Sequence, residues 1–136
     1  MRVVLDTNVL VSGLLSAAGP PARVLEMLLG GRLELLADGR IMQEYADVLA
    51  RPELGIEPSE AAAVLEALAG EMEPTAAGEV RVELPDADDE KFLAVALAGR
   101  ADALITGSKR HFPAPARRGA AVLSPREILA RADKQK

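Results

Sequence analysis

The sequence predicts an α/β domain in which a mostly parallel sheet carries helices on both faces. Three observations point there. Short aliphatic runs alternate with helical stretches along the whole 136 residues, the pattern of strands joined by helical crossovers. The first run, Val3-Val4-Leu5, stops abruptly at Asp6-Thr7-Asn8, and open parallel sheets place their chemistry at such strand ends. The length suits one domain with a sizeable core, expected over residues 1–132 with a frayed tail at 133–136.

The elements follow from local signals. Val3–Leu5 reads as the first strand, and Val9–Leu15 as a short helix. After the turn at Ala17–Pro21, Ala22–Leu29 forms a helix closed by Gly30-Gly31. Leu33–Ala37 is the second strand. Asp38 caps a helix over Gly39–Ala50, which Arg51-Pro52 ends. A further helix follows Pro58-Ser59 and is expected over Glu60–Ala69, stopping at Gly70. Residues 71–78 are irregular. Glu79–Leu84 alternates apolar and charged residues, the period of a half-exposed or edge strand. Pro85–Asp88 starts a helix that runs to Ala98 and is closed by Gly99. Ala103–Thr106 is a strand, 108–115 a loop, and Gly119–Leu123 the last strand. Ser124-Pro125 caps a final helix over Arg126–Ala132.

Composition removes several chemistries. There is no Cys, which excludes disulfides, cysteine nucleophiles and thiolate zinc sites, and fits the reducing cytoplasm expected here. The single His111 excludes a His-rich metal centre. With only Tyr45, Phe92 and Phe112, the core is aliphatic and no aromatic platform for stacking bases is expected. The N-terminus lacks the zones of a signal peptide, and no apolar run approaches the roughly 18 residues of a membrane span. The net charge of −5 is split unevenly. Residues 1–108 hold 8 Lys and Arg against 19 Asp and Glu, whereas residues 109–136 hold 8 against 2. The basic end is either a surface for an anionic partner or a solvated tail.

What remains is acids. Asp6 ends the first strand, either as a site residue or as a cap of the turn. Glu44 lies at the flank of the stripe Ile41, Tyr45, Val48 and Leu49, either reaching a cleft or facing solvent. Asp89 shares a helix face with Phe92, Leu93 and Ala96, so a carboxylate points inward from the first turn, either as a site residue or as a cap of the helix start. A buried unpaired carboxylate costs several kcal/mol and calls for a cation, a metal or a proton. On the same wheel Asp88 and Glu90 lie to either side and Lys91 points away. Asp86, one turn earlier, either joins the site or makes a turn. Thr106 and Ser108 end another strand, and Asn8 follows Asp6; each can orient a ligand or simply stabilise its own turn. Hard cations such as Mg²⁺ and Mn²⁺ take oxygen ligands, and phosphodiester hydrolysis by such ions needs carboxylates rather than His or Cys.

Four segments carry a family resemblance: Val-Val-Leu-Asp6-Thr-Asn8-Val-Leu-Val-Ser12, Gln43-Glu44-Tyr45 through Arg51-Pro52, Pro85-Asp86 through Asp88-Asp89 to Phe92 and beyond, and Ala101 through Thr106-Gly107-Ser108. In order and spacing they resemble a PIN domain, and most of all the bacterial VapC-like toxins of toxin–antitoxin systems. The resemblance runs from about Arg2 to Leu129. It implies a three-layer α/β/α sandwich and a Mg²⁺- or Mn²⁺-dependent ribonuclease. It implies Asp6, Glu44 and Asp89 as catalytic, metal-binding acids; Asn8, Thr106 and Ser108 are expected to position ligands and Asp86 to compensate for the acid absent at Ser108. It further implies an antitoxin protein as partner and a homodimer. Lys109, Arg110 and His111, with Arg117 and Arg118, are expected to guide the RNA backbone. The chain departs from the family at Ser108, where an acid is usual, which leaves a second reading open: a catalytically weak module that binds RNA or a protein. An aspartate-nucleophile phosphatase is a third, more distant reading, because Asn8 stands where such enzymes carry a second Asp.

Overall fold

The computed structural model describes residues 1–134. Five strands, β1 (Arg2–Leu5), β2 (Glu34–Ala37), β3 (Glu73–Pro74), β4 (Ala103–Ile105) and β5 (Val122–Leu123), form one parallel sheet in the order β3-β2-β1-β4-β5. Among the described residues six α-helices accompany them: α1 (Thr7–Leu15), α2 (Pro20–Leu29), α3 (Gly39–Leu49), α4 (Pro58–Glu71), α5 (Glu90–Ala98) and α6 (Pro125–Lys134). In β1, β2 and β4, consecutive residues are buried rather than alternate ones: Val3, Val4 and Leu5, then Leu35, Leu36 and Ala37, then Ala103, Leu104 and Ile105. That is the signature of a sheet covered on both faces. α5 lies against β1, β2 and β4, while α2 packs with α1, α4 and α6. The expected α/β/α layering is present.

The sheet reverses its winding at β1. Successive strands run outward through β2 to β3 on one side, and through β4 to β5 on the other. The crevice outside the carboxyl ends of β1 and β4 is therefore the topological switch point, where such sheets bind ligands. The register there is Leu5 opposite Ile105, and the Asp6 amide donates to the Ile105 carbonyl at 2.9 Å.

Caps expected from the sequence form as local chemistry dictates. Asp38 accepts the Ile41 amide at 3.0 Å and starts α3. Ser124 and Glu127 exchange amide bonds in a capping box that starts α6. After α2, Gly31 takes the left-handed conformation at φ +75°. Gly99 does not play that part after α5. The left-handed residue is Arg100, at φ 51°, and the Ala101 amide reaches back to the Ala96 carbonyl to close the motif. Gly99 is small for another reason: a Cβ there would lie 2.7 Å from Leu36 Cδ1.

Three expectations are corrected. The alternating segment Glu79–Leu84 is not a strand, although Val80, Val82 and Leu84 are partly buried and their neighbours exposed. Its place beside β2 is taken by Glu73 and Pro74, and the Ala37 carbonyl at the end of β2 accepts the Thr75 amide, so 79–84 does not pair with β2. α4 does not stop at Gly70 but continues to Glu71, since one glycine costs a helix only about 1 kcal/mol. α6 runs to Lys134, two residues beyond the expected end, so Asp133 and Lys134 are helical. The remaining tail residues, Gln135 and Lys136, lie outside the described residues.

Candidate active site

Asp6 follows β1 directly and is 5% exposed. It sits at the N-cap position of α1, yet its side chain makes no capping hydrogen bond. Instead it accepts the hydroxyl of Thr106, at the end of β4, at 2.8 Å. Burial raises the Asp6 pKa; the Thr106 hydroxyl and the Asn8 amide pull it down, and the nearby Glu44 charge pushes it up. The Ser108 amide donates to Thr106 Oγ1 at 3.0 Å, so the threonine hydroxyl is held from one side and aimed at Asp6 from the other. The Asn8 side chain makes a different contact. Its Oδ1 accepts the Gly107 amide at 3.2 Å and ties the start of α1 to the loop after β4.

Asp89 precedes α5, with its side chain 15% exposed. Its pKa is pushed up to about 6, first by burial, then by the charges of Asp6 and Asp86. Glu44 adds to the rise and His111 opposes it. His111 Nδ1 stands 3.8 Å from Asp89 Oδ2, which places the histidine at the acid site rather than on a separate basic surface. Asp86 is exposed and occupied as a cap, accepting the Asp88 amide at 2.9 Å; it acts on Asp89 only through its charge.

Glu44 projects from α3, and Tyr45 fixes that helix. Tyr45 is fully buried, and its hydroxyl donates to the Leu5 carbonyl at 2.5 Å, one residue before Asp6. Both oxygens of Glu44 are engaged. Thr7 donates its hydroxyl to Oε2, and Lys91 Nζ lies 2.7 Å from Oε1. The expectation that Lys91 points away is overturned. Lys91 sits in the first turn of α5, and its long side chain curls back over the 3-10 turn at Ala87–Asp89 to donate to the Asp88 carbonyl. The long lysine stem then brings the ammonium to the acids, 5.0 Å from the centre of the Phe92 ring. Thr7 and Lys91 are the contacts that sequence reasoning missed. The available signal was the acid cluster itself, which demands donors and positive charge nearby.

The residues expected to guide RNA are dispersed in role. Lys109 pairs with Glu127 at 2.9 Å. Arg117 donates to the Phe112 carbonyl at 2.7 Å and Arg118 to the Arg81 carbonyl at 2.8 Å. Arg110 is exposed, with no ion pair or side-chain hydrogen bond among the described residues. A cavity of about 480 Å³ is lined by Glu44 with Thr7, Asn8, Val48, Arg51 and Leu54, among others.

The donors are all oxygen, as a hard divalent ion requires. Among the described residues, however, no three His, Cys, Asp or Glu side chains converge closely enough to hold a metal ion. Asp6 and Asp89 both have raised pKa values, and Glu44 is ion-paired with Lys91.

A parallel α/β/α domain with an acidic, oxygen-lined site at its switch point is thus the class that fold and geometry define. The PIN domain family model matches residues 2–110, and the chain belongs to that family. No curated protein matches it. Among solved structures it is similar to FitAcB from Neisseria gonorrhoeae, with TM-score 0.56 and 19% identity over 90% of this chain and 97% of that one. FitAB bound to an IR36 DNA fragment gives TM-score 0.59 and 19% identity, covering 90% and 94%. VapBC2 from Rickettsia felis, bound to a DNA fragment from its promoter, gives 0.56 and 14%, covering 91% and 98%. At these identities the likeness is one of fold.

Proposed function

We propose that this protein is a divalent-metal-dependent endoribonuclease acting in the cytoplasm as the toxin of a toxin–antitoxin pair, bound by an antitoxin protein and assembling as a homodimer. The observation that carries the reading is the buried Asp6 carboxylate, locked by Thr106 at the switch point with Asp89 close enough to feel its charge. Membership of the PIN family and the fold shared with FitAB and VapBC2 support the toxin role. Asp6, Glu44 and Asp89 are the residues that would hold a Mg²⁺ or Mn²⁺ ion. When bound, the ion supplies positive charge and an activated water for phosphodiester hydrolysis. Thr106 fixes the rotamer of Asp6, Asn8 keeps the loop after β4 in register with α1, and His111 faces Asp89. The RNA strand runs through the cavity beside Glu44, where Arg51 meets a phosphate.

Labelled RNA incubated with the protein in Mn²⁺, Mg²⁺ or EDTA tests the reading. Cleavage that needs the metal and disappears in Asp6→Asn and Asp89→Asn is the expected result. Equal cleavage by wild type and both variants marks a contaminating nuclease and ends the proposal. A second reading, a weakly catalytic module that binds RNA or a protein, draws on Ser108 standing where the family usually has an acid and on Lys91 neutralising Glu44. A large rate gain on Ser108→Asp favours it.

A further inference from the structure

The alternating segment Glu79–Leu84 has the pattern of a strand and no strand beside it. Residues 75–84 contain no helical turn or bend. Val82 and Leu84 pack against the core and Val80 is half-buried, whereas Glu79, Arg81 and Glu83 are exposed. The edge of β2 is already taken by β3. Among the described residues, the backbone of 79–84 makes one hydrogen bond: the Arg81 carbonyl accepts Arg118 Nη2 at 2.8 Å. In an extended chain the amide and carbonyl of one residue point to the same side, and those of the next residue to the other. Arg118 therefore lies on the side of Glu79, Arg81 and Glu83. On the opposite side, the amides and carbonyls of Val80, Val82 and Leu84 have no hydrogen-bond partner among the described residues. Such an edge is a template for another strand.

We propose that this edge is an interface between two copies of the chain: Glu79–Leu84 pairs antiparallel with the same segment of a second copy, on a two-fold axis at Val82. The sequence is complementary to itself in that register. Arg81 faces the partner's Glu83 and Glu83 faces the partner's Arg81, so both charged cross-strand pairs are of opposite sign. Val80 faces the partner's Leu84 and Val82 faces the partner's Val82, which keeps the apolar row continuous. The hydrogen-bonded pairs are those of Val80, Val82 and Leu84, the residues of the unbonded side. Arg81 and Glu83 then fall at the non-hydrogen-bonded positions, where opposing side chains lie closest. Other registers fit less well. An axis at Arg81 sets Arg81 against itself and Glu79 against Glu83, and an axis at Val80 sets Val82 against Gly78. A one-residue slip sets apolar residues against charged ones. A ribbon this short buries less than the roughly 1,200 Å² of a standard stable interface, so the association is reversible and concentration-dependent. The contact deepens the homodimer of the reading above and rests on it.

Sedimentation velocity of the full chain over a concentration series tests this, with amide hydrogen exchange as a second readout. Wild type shifts from monomer to dimer as concentration rises. Arg81→Glu sets like charges opposite each other in both charged pairs, and Glu83→Arg does the same with the other sign; each weakens the dimer about tenfold or more. Both side chains are exposed, so neither substitution touches the core. Mixing the two single variants restores association, because every charged pair across the mixed ribbon is again of opposite sign. The double variant Arg81→Glu/Glu83→Arg dimerises as wild type. The amides of Val80, Val82 and Leu84 exchange slowly in the wild-type dimer and freely in either single variant. A dimer unaffected by both single variants overturns this contact and leaves the homodimer standing. Weakening by Glu79→Arg without weakening by Glu83→Arg also overturns it, by moving the axis to Val80. So does slow exchange of the three amides in monomeric wild type, which assigns the edge to a partner within the chain. A monomer at every concentration overturns both the contact and the homodimer. RNA cleavage enters none of these readouts, so the nuclease reading stands or falls by its own test.

Discussion

Tyr45 carries more of the site than its aromatic ring suggests. Its hydroxyl reaches the Leu5 carbonyl and so fixes the distance between α3, which bears Glu44, and the strand end that bears Asp6. Tyr45→Phe removes the donor while keeping the packing, and is expected to cost about 1–3 kcal/mol in urea unfolding. Asp89 makes a second residue-level prediction. Its folded pKa of about 6 is raised above the ordinary carboxylate value, chiefly by burial. A raised acid contributes stability that is fully present below its unfolded pKa and is lost as pH rises through its folded value. The melting temperature of the metal-free protein in EDTA should therefore fall between about pH 4 and pH 6.5. Asp89→Asn should flatten that fall and melt higher at pH 7; an unchanged profile would remove Asp89 as its source. Asp6 and Asp89 were legible as site candidates because their signals are local: a strand end and an inward helix face. Thr7 was not, since nothing in its neighbours reveals a carboxylate arriving from a helix 37 positions later.

Elements were legible where their ends are set by nearby residues, as with the caps Asp38 and Ser124. β3 was not, because two residues become a strand only when β2 offers its edge; Glu79–Leu84 had the right period, but that edge was already taken. Helix contacts make two further predictions. Gly13 in α1 packs so closely on the start of α2 that a Cβ would lie 3.0 Å from the Pro21 carbonyl oxygen. Backbone cannot give way as a side chain can, so Gly13→Ala should destabilise by about 1–3 kcal/mol despite its better helix propensity. Arg100 holds a left-handed conformation after α5. Arg100→Gly should stabilise by roughly 0.5–1 kcal/mol, the steric relief exceeding the extra chain entropy. Chemical denaturation of both variants, with unchanged m-values, checks the two directions.

At the scale of the molecule, the charge split between residues 1–108 and 109–136 was plain in the sequence, but its meaning was not. Lys109 is paired with Glu127, whose pKa is lowered to about 2 by the Lys109 contact first and the Ser124 amide second. Part of the basic end thus anchors α6 to the loop after β4. RNA binding by the cleavage-deficient Asp6→Asn protein should depend more on Arg51 than on Lys109. Arg51→Ala is expected to reduce the log–log salt slope by about one, while Lys109→Ala changes it less. Fluorescence anisotropy at several salt concentrations decides between them; a larger effect at Lys109 would move the RNA path away from the cavity.

The sheet order also sets a timetable. β1 is the first strand to be synthesised and the central one when folded, yet its neighbour β4 comes 100 residues later, and Asp6 meets Thr106 only then. At translation rates of roughly 5–20 residues per second, that wait is on the order of 5–20 seconds. Until it ends, β1 lacks a neighbour on one side and Asp6 lacks the hydroxyl that locks it. The ribonuclease proposed above would emerge on a ribosome, surrounded by RNA. The acid end of its sheet is assembled only after most of the chain has been made.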